Sequence, residues 1–193
     1  MFLIPLLLAI PALGQPQDPA LLLVQAARVQ VGVTLHYDSR YARMVYPGGD
    51  VPLDRGVCTD VLIRAYRHLG IDLQRLVHED MLAARDAYPR AWHMNGLDTN
   101  IDHRRVPNLA VFFARHGQTL SLAKDASLYR PGDLVLWCLP RGLPHIGIVS
   151  DRRTREGRPL VIHNVGYGTR EEDVLFAWTL TGHFRYFPER SGL

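Results

Sequence analysis

The spacing of apolar residues changes character at the turn Pro131-Gly132-Asp133, and this change limits the folds open to the chain. Before the turn, apolar residues recur every three to four positions, as on one face of a helix. Leu22, Leu23, Ala26, Ala27 and Gln30 keep that spacing over residues 19–31, with Asp18 as a cap and Gly32 as a stop. Residues 73–84 repeat the pattern, as do residues 108–116, capped by Asn108 and closed by Gly117. Beyond the turn the pattern is that of strands. Residues 134–139 form a continuous apolar run, residues 141–144 a turn, and residues 145–150 a strand with alternating faces, so the segment reads as a hairpin. Residues 160–164, 174–178 and 183–187 supply three further strands. Helices followed by strands predict an α+β layer fold, with N-terminal helices packed on a C-terminal antiparallel sheet.

A chain of 193 residues with 47% apolar residues suits one domain, expected over residues 15–193. Residues 1–14 are almost wholly apolar and end in Ala12-Leu13-Gly14, the small-x-small form of a signal-peptide cleavage site. The run is shorter than the roughly 20 residues that span a bilayer, so an exported protein in the periplasm or cell envelope is expected, without a stable membrane anchor. No cysteine follows the run to carry a lipid. A net charge of +3 and a pI near 9.1 give weak attraction to anionic polymers such as cell-wall material. The basic residues are scattered rather than interleaved with aromatics, which argues against nucleic acid.

Two cysteines are too few for a disulfide framework. Cys58 stands in Asp54-Arg55-Gly56-Val57-Cys58-Thr59-Asp60, ahead of Val61, Leu62, Ala65 and Leu69 at helical spacing and Gly70 as a stop. It therefore falls in the first turn of a helix, where unpaired N–H groups favour an anion and so the thiolate. A lone cysteine so placed is either a small buried apolar residue or a nucleophile, and partners elsewhere decide between them. Cys138 ends the strand next to His145 and reads as a core thiol in preference to a disulfide partner of Cys58. Residues 34–50 read as a structured loop whose tyrosines pack or line a groove, and Asn100-Ile101-Asp102-His103-Arg104-Arg105 as a solvated charged loop or a substrate-binding one.

A thiol attacks an amide usefully when a base takes its proton and a third polar group fixes that base. His145 and His163 both stand on strands. Period-2 alternation puts Val161 and His163 on one face and Leu160, Ile162 and Asn164 on the other, so only one of His163 and Asn164 can face a given cleft. Cys138, His145 and His163 lack the short paired spacing of a metal site, and neither metal nor cofactor is expected.

Cys58 at a helix start, Pro-Gly-Asp-Leu-Val at residues 131–135, Pro-His-Ile-Gly-Ile-Val at 144–149 and Val-Ile-His-Asn at 161–164 together resemble the NlpC-type cell-wall cysteine peptidases, which are papain-like. Residues 54–60, 100–108, 144–150 and 171–176 more closely resemble domain of unknown function 1287, a family related to that superfamily. The resemblance implies Cys58 as nucleophile, His145 as general base and then acid, and His163 as the orienting residue, with Asn164 as the alternative third residue. It implies hydrolysis of an amide bond in a peptidoglycan peptide. Where those peptidases have Asp-Cys-Ser, this chain has Val57-Cys58-Thr59 with the acid displaced to Asp60. Asp60, Asp102, His103 and Arg104 are the candidate substrate-binding residues. A wall-binding module without turnover and a thiol-dependent acyltransferase are the alternatives.

Overall fold

The structure is a computed structural model that describes residues 18–90 and 96–188, so the expected signal segment lies outside the described residues, as does Trp92 of the connection read over residues 92–107. Helix α1 (Pro19–Arg28) starts with Asp18 accepting the Ala20 N–H at 2.9 Å and ends three residues before the expected Val31. Two short strands follow, β1 (His36–Tyr37) and β2 (Arg55–Gly56), paired in parallel. Helices α2 (Cys58–His68) and α3 (Leu73–Ala83) come next. Helix α4 (Val106–His116) begins two residues before the expected Asn108. Pro107 is preorganised for a first helical turn, and Asn108, fully buried, donates Nδ2–H to the Asp102 carbonyl at 3.0 Å instead of capping.

The second half of the chain forms an antiparallel sheet of β3 (Gln118–Thr119), β4 (Leu134–Leu139), β5 (Leu143–Arg153), β6 (Pro159–Asn164), β7 (Thr169–Glu172) and β8 (Thr179–Arg185), in the order β3-β8-β4-β5-β6-β7. The fold is α+β. The β4–β5 turn is Pro140–Gly142, tighter than expected, so His145 is the third residue of β5 rather than its first. Residues 174–178 are not a strand. The chain pairs earlier, through Thr169–Glu172, and the apolar run that follows makes a turn over the sheet instead of extending it. The final strand is Thr179–Arg185, short of the expected Phe187.

Both faces of the sheet are buried, which is why β4 reads as an unbroken apolar run. Leu134, Leu136, Ile146, Ile148, Ile162 and Phe184 pack against the helices. Val135, Trp137, Val149 and Val161 face the other way and are covered by Tyr129 and Leu175, with Val174, Phe176 and Trp178 packed alongside. Full burial of a large apolar side chain contributes about 1.5–3 kcal/mol, so the turn over residues 174–178 is held down by the same force that holds the helices.

Gly147 makes the closest approach in this second layer. A Cβ there would stand 2.7 Å from Val161 Cγ1 and 3.2 Å from both His163 Cβ and the Ile162 carbonyl. Gly147→Ala is therefore expected to lower stability by about 1–3 kcal/mol through overpacking, read as a fall in the urea midpoint at unchanged slope.

Candidate active site

Cys58 is the first residue of α2, and the residue before it, Val57, has no side-chain acceptor to cap the helix. Asp60 supplies the cap from within, accepting the Val57 N–H at 2.7 Å, one half of a capping box. The same carboxylate accepts Arg104 Nε and Nη2, both at 2.8 Å, while Thr59 Oγ1 donates to the Arg104 carbonyl at 3.0 Å. Gly56 leaves room for this arrangement, since a Cβ there would meet Asp60 Oδ2 at 2.9 Å. The turn that presents the thiol is thus fastened to the short helical turn Asp102–Arg104.

That turn corrects the reading of a solvated loop: Asp102, His103 and Arg104 are all buried. Asp102 accepts the Asp98 N–H at 2.6 Å, and burial pushes the His103 imidazole down to about 4. Of the four candidate substrate-binding residues only Arg104 lines the cleft; Asp60, Asp102 and His103 are buried without reaching it.

The cleft has a volume of about 400 Å³ and is lined by Cys58, His145, Tyr37, Arg104 and Arg105, with Ile101, Val106, Leu139, Leu143 and Val165 among its apolar walls. Arg104 and Arg105 are the basic side chains of this lining, and no carboxylate lines it among the described residues. Cys58 is 3% exposed. Burial pushes its thiol up to about 12, against the backbone N–H groups of Ile146, Thr59 and Cys58, which favour the anion. The helix start acts in the expected direction, but desolvation outweighs it, and the resting group is the thiol.

Strands β5 and β6 are paired from Ile148 and Ile162 to Arg153 and Pro159, while residues 143–147 pair with β4. The thiol therefore meets the Ile146 N–H on a stretch of β5 whose sheet partner lies on its other side. The Tyr37 hydroxyl also reaches the thiol.

His145 and His163 come together: His145 Nε2 lies 2.9 Å from His163 Nδ1. Both rings are buried, and His145 is pushed down to about 3 by desolvation first and by its histidine neighbour second. Trp137 stacks on His145 at 5.6 Å, and Trp178 stands edge-on to both imidazoles, at 5.9 and 6.0 Å. His145 and Cys58 share the cleft, with no hydrogen bond between them among the described residues. Asn164 points to the opposite face of β6. Its Nδ2–H donates to the Gly56 carbonyl at 3.1 Å, tying the strand end to the loop before Cys58.

Cys138 is exposed and is neither a core thiol nor a disulfide partner; both cysteines are free. The alternation that buries Trp137 turns Cys138 to the opposite face near the end of β4, where solvent reaches it.

The sequence reading did not single out Glu172, whose Oε2 lies 3.3 Å from His163 Nε2, off the line that a hydrogen bond needs. It also missed Trp178 as a cover for the histidines. Both residues were visible only as parts of other patterns, an acidic run over residues 171–173 and an apolar run after it.

Residues 24–186 match the family described as "Domain of unknown function (DUF1287)". A curated relative, "Uncharacterized protein YijF" of Escherichia coli (strain K12), is 55% identical over 167 residues, covering 86% of this chain and 82% of that protein. Among solved structures, "Structure of NlpC1 from Trichomonas vaginalis" matches at 16% identity with a TM-score of 0.48, covering 92% of this chain. This chain spans 47% of the length of that one. With a match that takes in the cleft and every strand of the sheet, the chain belongs to the DUF1287 family.

Proposed function

We propose that this protein is an exported cysteine hydrolase of papain-like, NlpC-type fold, a single domain over residues 15–193 that cleaves an amide bond in a peptidoglycan peptide. One observation carries the reading: a buried His145–His163 pair at 2.9 Å whose first member lines the same cleft as a cysteine at a helix start. The order of the motifs, the apolar run at residues 1–14 and the net charge of +3 support the substrate and the compartment.

In this mechanism Cys58 Sγ attacks the amide carbon, and its proton passes to His145 Nδ1, the ring nitrogen that His163 does not occupy. The backbone N–H groups of Cys58 and Thr59 and the Tyr37 hydroxyl are the donors for the oxyanion. The imidazolium then protonates the leaving amine as the C–N bond breaks and the carbonyl of the thioester re-forms, and water deprotonated by the neutral His145 breaks the S–C bond, releasing the acid and returning the proton to Sγ. With the thiol at about 12 and His145 at about 3, the resting pair is neutral at physiological pH. Proton transfer accompanies attack rather than preceding it.

Two measurements follow from this chemistry. Burial of Cys58 and exposure of Cys138 lead a limited dose of an alkylating reagent to label Cys138 first. In a Cys138→Ser background, the alkylation rate of Cys58 is expected to rise with pH to beyond about 9. A plateau between about pH 4 and 8 would instead reveal a standing thiolate–imidazolium pair, because a depressed thiol value would leave the anion populated there.

Incubated with purified peptidoglycan and its soluble fragments, the wild-type protein is expected to generate new peptide termini by mass spectrometry, and Cys58→Ala none. His163→Ala is expected to lower kcat/KM by about 10²–10⁴. Asn164→Ala, which loosens the Gly56 contact, is expected to act chiefly on the urea midpoint. Sedimentation with the polymer without new termini would replace the hydrolase by a wall-binding module, and capture of the acyl group by an amine in place of water would make it a transferase.

A further inference from the structure

The structure assigns to Glu172 the role of positioning residue for the His145–His163 pair, fixing which ring nitrogen of each imidazole carries the proton. This role rests on the hydrolase reading only for the direction in which His145 must act. A neutral imidazole has one N–H and one lone pair, so two imidazoles joined Nε2 to Nδ1 have two possible proton arrangements. In one, His145 Nε2–H donates to His163 Nδ1, which leaves a lone pair on His145 Nδ1. In the other, His163 Nδ1–H donates to His145 Nε2, which puts a hydrogen on His145 Nδ1 and removes the base.

Nothing within the pair chooses between them. The choice falls to whatever meets His163 Nε2, a nitrogen that is buried and has no hydrogen-bond partner of good geometry. The group beside it is Glu172 Oε2 at 3.3 Å, on β7, two residues from Arg170, which pairs directly across from His163. An ionised carboxylate only accepts. It places the proton on His163 Nε2, makes Nδ1 the acceptor, makes His145 Nε2 the donor, and so leaves the lone pair on His145 Nδ1. No proton moves along the chain during attack: Sγ–H is broken, Nδ1–H is formed, and the other two N–H bonds stay intact.

Glu172 is held for this role by Arg170 Nη1, 3.4 Å from its Oε1. A second cavity of about 230 Å³, lined by His163, Tyr167, Arg170 and Glu172, opens beside it. The carboxylate, 35% exposed, thus borders this cavity while the imidazole it faces is buried. The indoles of Trp137 and Trp178, which pack on the pair, offer no acceptor.

The test is a long-range proton–nitrogen correlation spectrum of uniformly ¹⁵N-labelled protein at neutral pH, with the two rings assigned by His145→Phe and His163→Phe. Both histidines are expected as Nε2–H tautomers in the wild type. In Glu172→Gln, whose amide can donate as well as accept, the rings are expected to mix or invert, and Cys58 alkylation in the Cys138→Ser background to slow by about tenfold or more. Glu172→Asp, still an acceptor only, is expected to keep the wild-type tautomers. A wild-type spectrum with His163 as the Nδ1–H tautomer overturns the assignment, even should the Gln variant fail to fold. So does a folded Gln variant with unchanged tautomers and alkylation. Absence of peptide cleavage by the wild type, by contrast, would fail the hydrolase reading and leave the tautomer result standing.

Discussion

The buried pair of Asp60 and Arg104 is the fastening on which the arrangement of the cleft depends. An isolated carboxylate at that depth would have to be neutralised, and an isolated guanidinium could not be, so each holds the other in place. Because Asp60 also closes the N-terminus of α2 through the Val57 N–H, the pair fixes the helix start that carries Cys58. Because Arg104 belongs to the turn that leads into α4, it also sets the cleft wall formed by Ile101, Val106 and Pro107. Removing one partner leaves an unpaired buried charge, which costs about 3–5 kcal/mol in comparable settings. The carboxylate two positions after the cysteine is thus part of the frame.

The second dependency is the double burial of the sheet. Were its outer face open to water, His145 would be a solvated imidazole near its ordinary value. Covered by Trp137 and Trp178, it is held neutral and in a fixed orientation. Burial of the thiol acts in the opposite sense on the acid and base scale but to the same end, keeping both groups uncharged.

Much of this was legible in the sequence. The helices were readable because their apolar stripes and local signals such as the Asp18 cap stand in the sequence itself. The opposite faces of His163 and Asn164 followed from strict alternation along β6. What escaped was set by tertiary partners. Residues 174–178 have the composition of a strand and the job of a cover, and periodicity does not separate the two. Asp102, His103 and Arg104 look like surface because charge suggests water, yet Arg104 finds its counter-ion 44 positions away. The state of Cys58 was misjudged because the helix start is visible in the sequence and the depth of burial is not.

The charge of the cleft lining bears on encounter rather than on chemistry. Arg104 reaches the cleft wall already paired with Asp60 at 2.8 Å, so the two charges offset each other at the cleft mouth. A pair of this kind exerts little of the long-range steering that an unbalanced charge would. Such steering acts over a Debye length of about 8–10 Å near physiological ionic strength and fades as salt is added. Discrimination between ligands is thus left to contacts formed inside the cleft rather than to diffusion toward Arg104.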